Sequence, residues 1–337
     1  MVPNKKAMKQ VNLFFYLCLT AIIMVSCSSD ERAIPNSVGK SSEMLIVIEK
    51  HNWNGSAGEE IRSFFGQEME GLPQVEPSFQ LTWIPESEFA TIMQSHRNIF
   101  IASIKPDITK PFIETKRDLW AKPQRVIKIN ASSDTAFIRI FKENQNAVLK
   151  LFEQAERERI QKAYKSVLNQ SVVKEISDNF GFTLIIPSGY YTAKNQSGFM
   201  WIRRETAEIS QSILLYSYDY KDTVDFNPGH ILAMRDIITK QHVPGTFDGT
   251  YMKIENEFMP PVSERIDFNG KFGVETRGLW KVKGDYMGGP FVNYSIVDES
   301  GTKILSLDAY VYAPNEKKRD LIRQLEAILY SYEPELK

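Results

Sequence analysis

The apolar positions of the chain change their spacing near its middle. In the first half, short apolar runs bounded by polar residues predict buried or half-buried strands. Apolar residues at helical spacing over 57–70, after a Ser56/Glu59 capping-box pattern, predict a helix packed on the core. The order is β-α-β-α-β-β, a small α/β sandwich. The predicted strands cover 43–50, 79–84, 98–104 and 124–131, and a second short helix covers 86–95.

The middle of the chain is predicted to be helical. Neither glycine nor proline occurs from Gln124 through Phe180, and apolar residues recur at intervals of three and four from about residue 133 to 178. A helix of about 40 residues would be about 60 Å long, so we expect it to break into two pieces. Gly181 is positioned to end the second piece.

The second half is rich in strands. One helix is predicted over 228–241 and a last one after Pro314. Six glycines between Gly270 and Gly289 are typical of tight antiparallel hairpins. The fold class is therefore α+β, with an N-terminal α/β sandwich and a C-terminal mixed or antiparallel sheet with flanking helices, joined by a long helical segment. The predicted strands cover 182–186, 198–204, 212–218, 252–255, 263–268, 273–280, 291–297 and 304–311.

The N-terminus has the pattern of a bacterial export signal. Three lysines precede an apolar run of about 15 residues, which is shorter than the roughly 20 that a membrane span needs. Met24-Val25-Ser26-Cys27 resembles a lipobox, at which Cys27 would receive acyl chains such as palmitate. The alternative is an ordinary signal peptide with an incidental cysteine. The predicted organisation is a lipoprotein signal peptide (1–26), a lipidated tether (27–42), an N-terminal α+β half (43–145), a helical connector (146–180) and a C-terminal half (181–337).

Composition excludes several classes of function. Lys plus Arg is 41 and Asp plus Glu is 42, so the chain lacks the excess of basic residues that would indicate binding to nucleic acid. Both cysteines, Cys18 and Cys27, precede the body of the chain, which removes a disulfide framework and a cysteine nucleophile. The histidines lack the spacing of zinc ligands, and no nucleophile elbow or phosphate-binding loop is present. We therefore expect no metal, no cofactor and no recognisable catalytic residue.

Aromatic residues beside charges are the remaining candidates for a site. Trp53 follows the first strand, and Trp120 lies in a loop before Pro123. Arg277 and Trp280 lie on one alternating strand. Amphipathic aromatic side chains next to charges suit a carbohydrate or peptide groove, although a tryptophan in a strand-rich domain also suits the core. These four residues are the predicted ligand-binding set.

The last helix begins with cations. Lys317, Lys318 and Arg319 occupy its first turn, where the helix dipole disfavours positive charge. The run is either a solvated charge cluster or a contact with lipid headgroups, an acidic partner or an acidic patch of the same chain.

Several phrases of the chain have a familiar form: GLPQVEPSF (71–79), SHRNIFIASI (95–104), DLWAKPQRV (118–126), FMWIRRE (199–205), GTYMKIE (249–255), RGLWKVKGDYMGGPFVNY (277–294) and YVYAPNEKKRDLIRQLEAILY (310–330). Together they resemble an uncharacterised family of Bacteroidetes lipoproteins, classed as a domain of unknown function, over essentially the whole mature chain. The resemblance implies an outer-membrane lipoprotein and nothing about its activity. Ser28 and the Asp30-Glu31 pair agree with outer-membrane sorting, on the periplasmic face or the cell surface.

Three functions are compatible with this reading. The leading hypothesis is a non-catalytic envelope lipoprotein, anchored in the membrane through Cys27, that binds a partner protein or a glycan. The alternative is a hydrolase acting on envelope polysaccharide or peptide with carboxylates that the sequence does not mark. The third is a structural subunit of an envelope assembly.

Overall fold

The computed structural model describes residues 34–335, and the lipobox prediction at Cys27 lies outside them. The first half contains a five-stranded sheet with the strand order β2-β1-β3-β5-β4. Its strands are β1 (Glu43–Ile48), β2 (Gln80–Ile84), β3 (Asn98–Ile104), β4 (Phe112–Arg117) and β5 (Arg125–Ala131). Helices α1 (Lys50–Trp53), α2 (Ser56–Phe65) and α3 (Thr91–Gln94) and a 3₁₀ turn over Glu86–Glu88 connect them.

This sheet is parallel except at one edge. Strands β2, β1, β3 and β5 pair in parallel, and β4 adds to β5 in the antiparallel direction. One face is closed by α2 and by α4, the long helix that follows β5 over Asp134–Lys165. Phe65, Phe100, Phe141 and Phe152 pack edge to face beneath these helices. A parallel sheet with helices packed on it explains the nearly continuous apolar runs of its strands.

The helical middle breaks in two, as predicted. Helix α4 begins at Asp134, capped by Ser133, whose hydroxyl accepts the N–H of Ala136 at 3.3 Å. It runs without interruption through residue 146, where the sequence suggested that the connector begins. Helix α5 (Gln170–Phe180) follows after a short turn, and Gly181 ends it at φ 73° in the left-handed region.

The second half is built on an eight-stranded antiparallel sheet. Its order is β10-β12-β13-β14-β9-β8-β7, and β11 also pairs with β12. Helix α6 (Pro228–His242) packs on one face and helix α7 (Arg319–Leu329) on the other. The strands are β7 (Tyr191–Gln196), β8 (Phe199–Glu205), β9 (Ser210–Asp219), β10 (Tyr251–Glu255), β11 (Val262–Phe268), β12 (Lys271–Lys283), β13 (Gly288–Val297) and β14 (Lys303–Tyr312). A short pair, β6 (Phe182–Thr183) and β15 (Glu333–Pro334), lies apart.

The α+β class is thus confirmed, and a few local predictions need correction. The Ser56/Glu59 capping box does not form: Gly55 is the N-cap, and no side chain caps the helix. The helix also ends at Phe65 instead of residue 70, because the carbonyl of Phe65 accepts the N–H of Phe79 and the chain turns back. Strands β4 and β7 were missed because, on these edge strands, few side chains are buried.

The cations at the start of α7 meet an acidic residue of the same chain. Lys318 and Arg319 are 3% and 8% exposed, whereas Lys317 is exposed. The Glu76 carboxylate accepts the backbone N–H of Lys318 at 2.7 Å and that of Arg319 at 3.3 Å. Glu76 therefore supplies the negative charge that a helix N-terminus favours, and it offsets the cations. This contact joins the first half to the last helix.

Among the described residues, no helix is both long enough and apolar enough to cross a membrane.

Candidate functional site

The four predicted site residues lie in different places. Trp53 is half-buried at the end of α1, where its ring is parallel to that of Trp83 with centroids 5.7 Å apart. The Arg62 guanidinium lies 4.5 Å from the Trp53 ring centre, and its Nη1 donates to the Trp53 carbonyl. Through these contacts the Trp53 ring packs against the edge of the five-stranded sheet.

Arg277 and Trp280 share β12 but lie on opposite faces of the sheet. They are three residues apart, and side chains alternate along a strand. Arg277 contacts Glu275 and reaches Glu326 of α7 at 2.5 Å. Trp280 is 3% exposed on the face that carries α6. Sequence spacing placed them on one strand, but strand geometry separates them, and the structure does not bring the four residues together.

Trp280 does line a cleft, at the end of the face that carries α6. The cleft has a volume of about 380 Å³. Its walls are aromatic, and we call it the aromatic cleft after the residues that define it: Trp201, Trp280, Tyr310 and Tyr312. The Trp280 and Tyr310 ring centroids are 5.1 Å apart at 67°, and the Trp280 indole N–H donates to the Val311 carbonyl at 3.2 Å.

Small residues on the central strand create this hollow. Strand β9 lies between β8 and β14, and it carries Ser210 and Ser212 on the cleft face. Ser212 pairs with Arg203 on one side and Tyr310 on the other. Ser210 pairs in the same way with Glu205 and Tyr312. Two short side chains between rows of long ones leave an open trough whose long walls are the neighbouring strands.

The charged wall of the cleft is held in place by its own contacts. Trp201, Arg203 and Glu205 alternate along β8 and therefore share the cleft face. The Arg203 guanidinium lies 4.6 Å from the Trp201 ring centre and forms an ion pair with Glu205. Glu205 also accepts the Tyr191 hydroxyl. This bond raises the pKa of Tyr191, because the phenol donates to a carboxylate.

Two polar groups on the walls interact with each other. Burial raises the pKa of Tyr310 to about 12, so its hydroxyl stays protonated at neutral pH. The buried Trp201 indole N–H lies next to this hydroxyl and interacts with it as a donor.

The far rim is the chain that follows α6. Val243–Thr246 and Met287 close this side. Gly245 is required there by space, because a Cβ at its position would lie 2.6 Å from Cγ1 of Val282. Its N–H donates to the Thr250 carbonyl at 2.9 Å, which holds the rim against β10.

Trp120 lies beside a different cleft, on the five-stranded sheet. Its ring packs edge to face against Phe89 with centroids 5.4 Å apart. Two of the four predicted residues therefore line clefts, one on each sheet. Among residues 34–335, no group of three or more His, Cys, Asp or Glu side chains is placed to hold a metal ion.

Sequence reasoning missed Trp201, Tyr310 and Tyr312, although a signal was present. Trp201 and Arg203 are spaced by two on the strand predicted over 198–204, and Glu205 continues that spacing one residue beyond it, which places an aromatic ring, a cation and an anion on one face. Tyr310 and Tyr312 follow the same rule. What the pattern lacks is the register that sets these strands on either side of Ser210 and Ser212.

The two halves each resemble a family without an assigned activity. Residues 169–331, which contain the aromatic cleft, match a domain of unknown function (DUF4837). Residues 37–165 match a second domain of unknown function (DUF8532). No match was found among curated proteins. The predicted likeness to an uncharacterised domain family is confirmed at this level, and the lipoprotein class and the Bacteroidetes lineage stay predictions.

Proposed function

We propose that the protein is an envelope lipoprotein that binds a glycan in the aromatic cleft without transforming it. The observation that carries the proposal is the composition of the cleft walls. Aromatic rings line a trough of about 380 Å³, next to a fixed Arg203–Glu205 pair. Binding pockets commonly combine apolar and aromatic walls with a few fixed polar groups.

A sugar ring suits this arrangement because it is amphipathic. Its C–H faces pack on the half-buried rings of Trp201 and Tyr312, whose flat surfaces offer apolar area. Its hydroxyl groups both donate and accept hydrogen bonds, so they suit the Arg203 guanidinium and the Glu205 carboxylate. The volume lies within the range of small-molecule sites, which run from about 300 to 1,000 Å³.

Two carboxylates, Glu205 and Glu208, line the cleft. Glu205 contacts Arg203 and Tyr191, which hold it as a fixed acceptor. A general acid must instead be placed to give a proton to the leaving group of the substrate. The contacts of Glu205 therefore suit binding better than hydrolysis.

The proposed anchor is Cys27, acylated at the outer membrane. Sixteen positions separate Cys27 from Glu43, where β1 begins, and they form the tether of the proposed anchor.

One observation favours the hydrolase as a second candidate. Glu153 on α4 has its pKa raised by burial, and Glu326 on α7 has its pKa lowered, chiefly by Arg277 against the effect of burial. Carboxylates whose environments separate their pKa values are a recurrent feature of acid/base catalysis. The ion pair between Arg277 and Glu326 equally explains the lowered value as a structural contact.

The test is binding of envelope glycan fragments to the full chain in phospholipid nanodiscs. Trp201→Ala should weaken binding about tenfold or more, as loss of a central aromatic contact does at binding sites. Trp53→Ala, a tryptophan outside the cleft, is the matched control and should leave the affinity unchanged. If the Trp201 variant bound the fragments as tightly as the parent, the cleft would be refuted as the binding site.

Two other outcomes would favour other functions. Release of reducing sugar, abolished by Glu153→Gln, would instead support the hydrolase. A stoichiometric protein partner in a crosslinked pull-down, lost with Trp201→Ala, would replace the glycan as the ligand.

A further inference from the structure

The two faces of the five-stranded sheet are covered unequally. Ile46, Phe100 and Ile127 point toward α2 and α4, which cover that face. Val47, Ile101 and Val126 point the other way, where Phe89 and Trp120 are the partly buried side chains that pack on them. Those two residues come from short connecting segments. A covering of this kind leaves part of the sheet face open.

A cleft of about 370 Å³ occupies the open part. Val47, Ile101 and Val126 form its apolar floor and are all less than 9% exposed. Phe89, Leu119 and Trp120 form an apolar wall, and Leu119 is 44% exposed. Flat and branched side chains thus offer a slot for a ring or a short chain.

The wall is fixed by hydrogen bonds of a buried glutamine. Gln124, 3% exposed, accepts the Trp120 backbone N–H at 3.0 Å. Its amide donates to the carbonyls of Gln94 and His96 at 2.6 and 2.8 Å. The loop that carries Leu119 and Trp120 is therefore tied to the segment after α3. A rigid wall lowers the entropy lost when a ligand binds.

Lysines lie where a covered sheet would have apolar residues. Strand β5 lies between β3 and β4, and its cleft-facing side chains are Val126, Lys128 and Asn130. Lys116 of β4 pairs with Val126, so it projects from the same face. Inner-strand positions beside an apolar floor usually carry apolar residues, so a lysine at such a position indicates a functional role.

The charges of the cleft leave a positive surplus. Lys105 and Glu86 form an ion pair at 2.8 Å, which raises the pKa of Lys105. Glu114 accepts the Asn130 amide at 3.0 Å. Glu114 is also the cross-strand neighbour of Lys128, but within residues 34–335 neither Lys128 nor Lys116 forms an ion pair within 4.0 Å, as Lys105 does. Three lysines against two glutamates give a net charge of one positive unit in the cleft lining.

We propose that this lysine cleft, defined by Lys105, Lys116, Lys128 and Trp120, binds a small monoanionic carboxylate with a flat or apolar body. The carboxylate lies against Lys116 and Lys128, and the body lies between the apolar floor and Trp120. A single surplus positive charge matches one negative charge better than the two of a phosphate monoester. The volume lies within the range of small-molecule sites.

The test compares two probes that differ only in charge. 2-Naphthoate and its neutral amide, 2-naphthamide, are titrated by calorimetry into the full chain in nanodiscs, with empty nanodiscs as the blank. The naphthoate should bind about tenfold more tightly than the amide, because charge-assisted contacts exceed neutral ones. Equal affinity of the two probes would overturn the proposal. Tighter binding of 2-naphthyl phosphate would also overturn it, since the site would then prefer a dianion.

Substitutions of single lysines test whether the naphthoate binds in the lysine cleft. Lys128→Gln should weaken naphthoate binding about fivefold and leave the naphthamide affinity unchanged. Lys116→Gln, on the exposed edge strand, should weaken it less and is the second variant if Lys128→Gln folds poorly. Lys150→Gln is the matched control, an exposed lysine on α4. Naphthoate binding that survives both cleft variants would refute the site. Trp201→Ala should not affect it, so this result is independent of the aromatic cleft.

Discussion

Two charged sites, one on each sheet, differ in how far they are enclosed. In the eight-stranded sheet, Asp308 of β14 and Arg235 of α6 are both 0% exposed and form a pair at 2.8 Å. Asn293 donates to the same carboxylate at 3.2 Å, and the Arg235 guanidinium lies 3.8 Å from the Phe291 ring centre. In the five-stranded sheet, Lys128 faces an open cleft instead.

The difference shows what enclosure demands. A charge removed from water loses its hydration and must recover the free energy from a partner and from hydrogen bonds. Arg235 and Asp308 satisfy this requirement with each other and with Asn293. Lys128 keeps access to solvent and needs no such partner. Enclosed charges are therefore structural, whereas open ones are available to a ligand.

Removal of one member of the enclosed pair should have the largest effect on stability. Asp308→Ala leaves the Arg235 guanidinium buried without a counter-charge, and we expect a loss of about 3–5 kcal/mol in the free energy of unfolding. Denaturation in urea, followed by circular dichroism, measures it. The double variant Arg235→Met/Asp308→Leu should recover most of the loss, because apolar residues of similar size need no partner.

The open cleft supplies the control for that comparison. Lys128→Gln should change the free energy of unfolding by no more than about 0.5 kcal/mol, as substitutions without enclosed partners usually do. A loss as large as that of Asp308→Ala would remove the distinction between enclosed and open charges on which the lysine cleft rests.

A third environment lies at the junction of the two halves. Arg323 of α7 donates to Ser42 Oγ at 2.6 Å and to the Ser78 carbonyl at 2.7 Å, and it lies 4.5 Å from the Phe79 ring centre. These contacts tie the last helix to the first sheet. Their partners are neutral, so the interaction is intermediate between the enclosed pair and the open lysines.

Arg323→Ala should therefore cost about 2–3 kcal/mol, since it removes two charge-assisted hydrogen bonds and a cation–π contact. The same urea titration measures it. Arg139→Ala, on α4, is the control, and it should stay within about 0.5 kcal/mol of the parent. An equally small effect of Arg323→Ala would mean that the halves do not depend on this contact.

Much of the fold follows from local pattern. Buried strands such as β1, β3 and β14, and helices such as α6 and α7, have clear periodicity, and their predicted bounds agree with the structure to within a few residues. The edge strands β4 and β7 lack this periodicity, so the sequence does not predict them. Strand β4, FIETKR, has few buried positions, so its pattern does not separate it from a loop.

The sites depend on contacts that a single sequence does not carry. Asp308 stands out as an acid within an apolar strand, yet its partner Arg235 is 73 residues away. The alternation of side chains along a strand already places Arg277 and Trp280 on opposite faces, and this could have been concluded from the sequence. To predict the aromatic cleft, one must know how β9 pairs with both of its neighbouring strands, and only the folded sheet shows this pairing.

The last prediction concerns Glu153, a half-buried residue of α4 that faces the junction. Burial raises the pKa of its carboxyl group, Arg323 and Arg157 lower it, and Glu326 raises it. With the folded pKa above the unfolded one, the native chain keeps a proton that the unfolded chain releases. Stability from this group is therefore present below the unfolded pKa and is lost as the pH rises through the folded pKa.

Glu153→Gln removes this dependence because the amide does not titrate. Relative to the parent, the variant should gain stability as the pH rises above about 4, the ordinary pKa of a glutamate, because only the parent must release a proton from the folded state. Urea denaturation at several pH values measures the difference. Glu143→Gln, an exposed position on the same helix, should show no such trend. A Glu153 variant whose stability relative to the parent is constant with pH would mean that water reaches this carboxylate as freely as it reaches the open lysines.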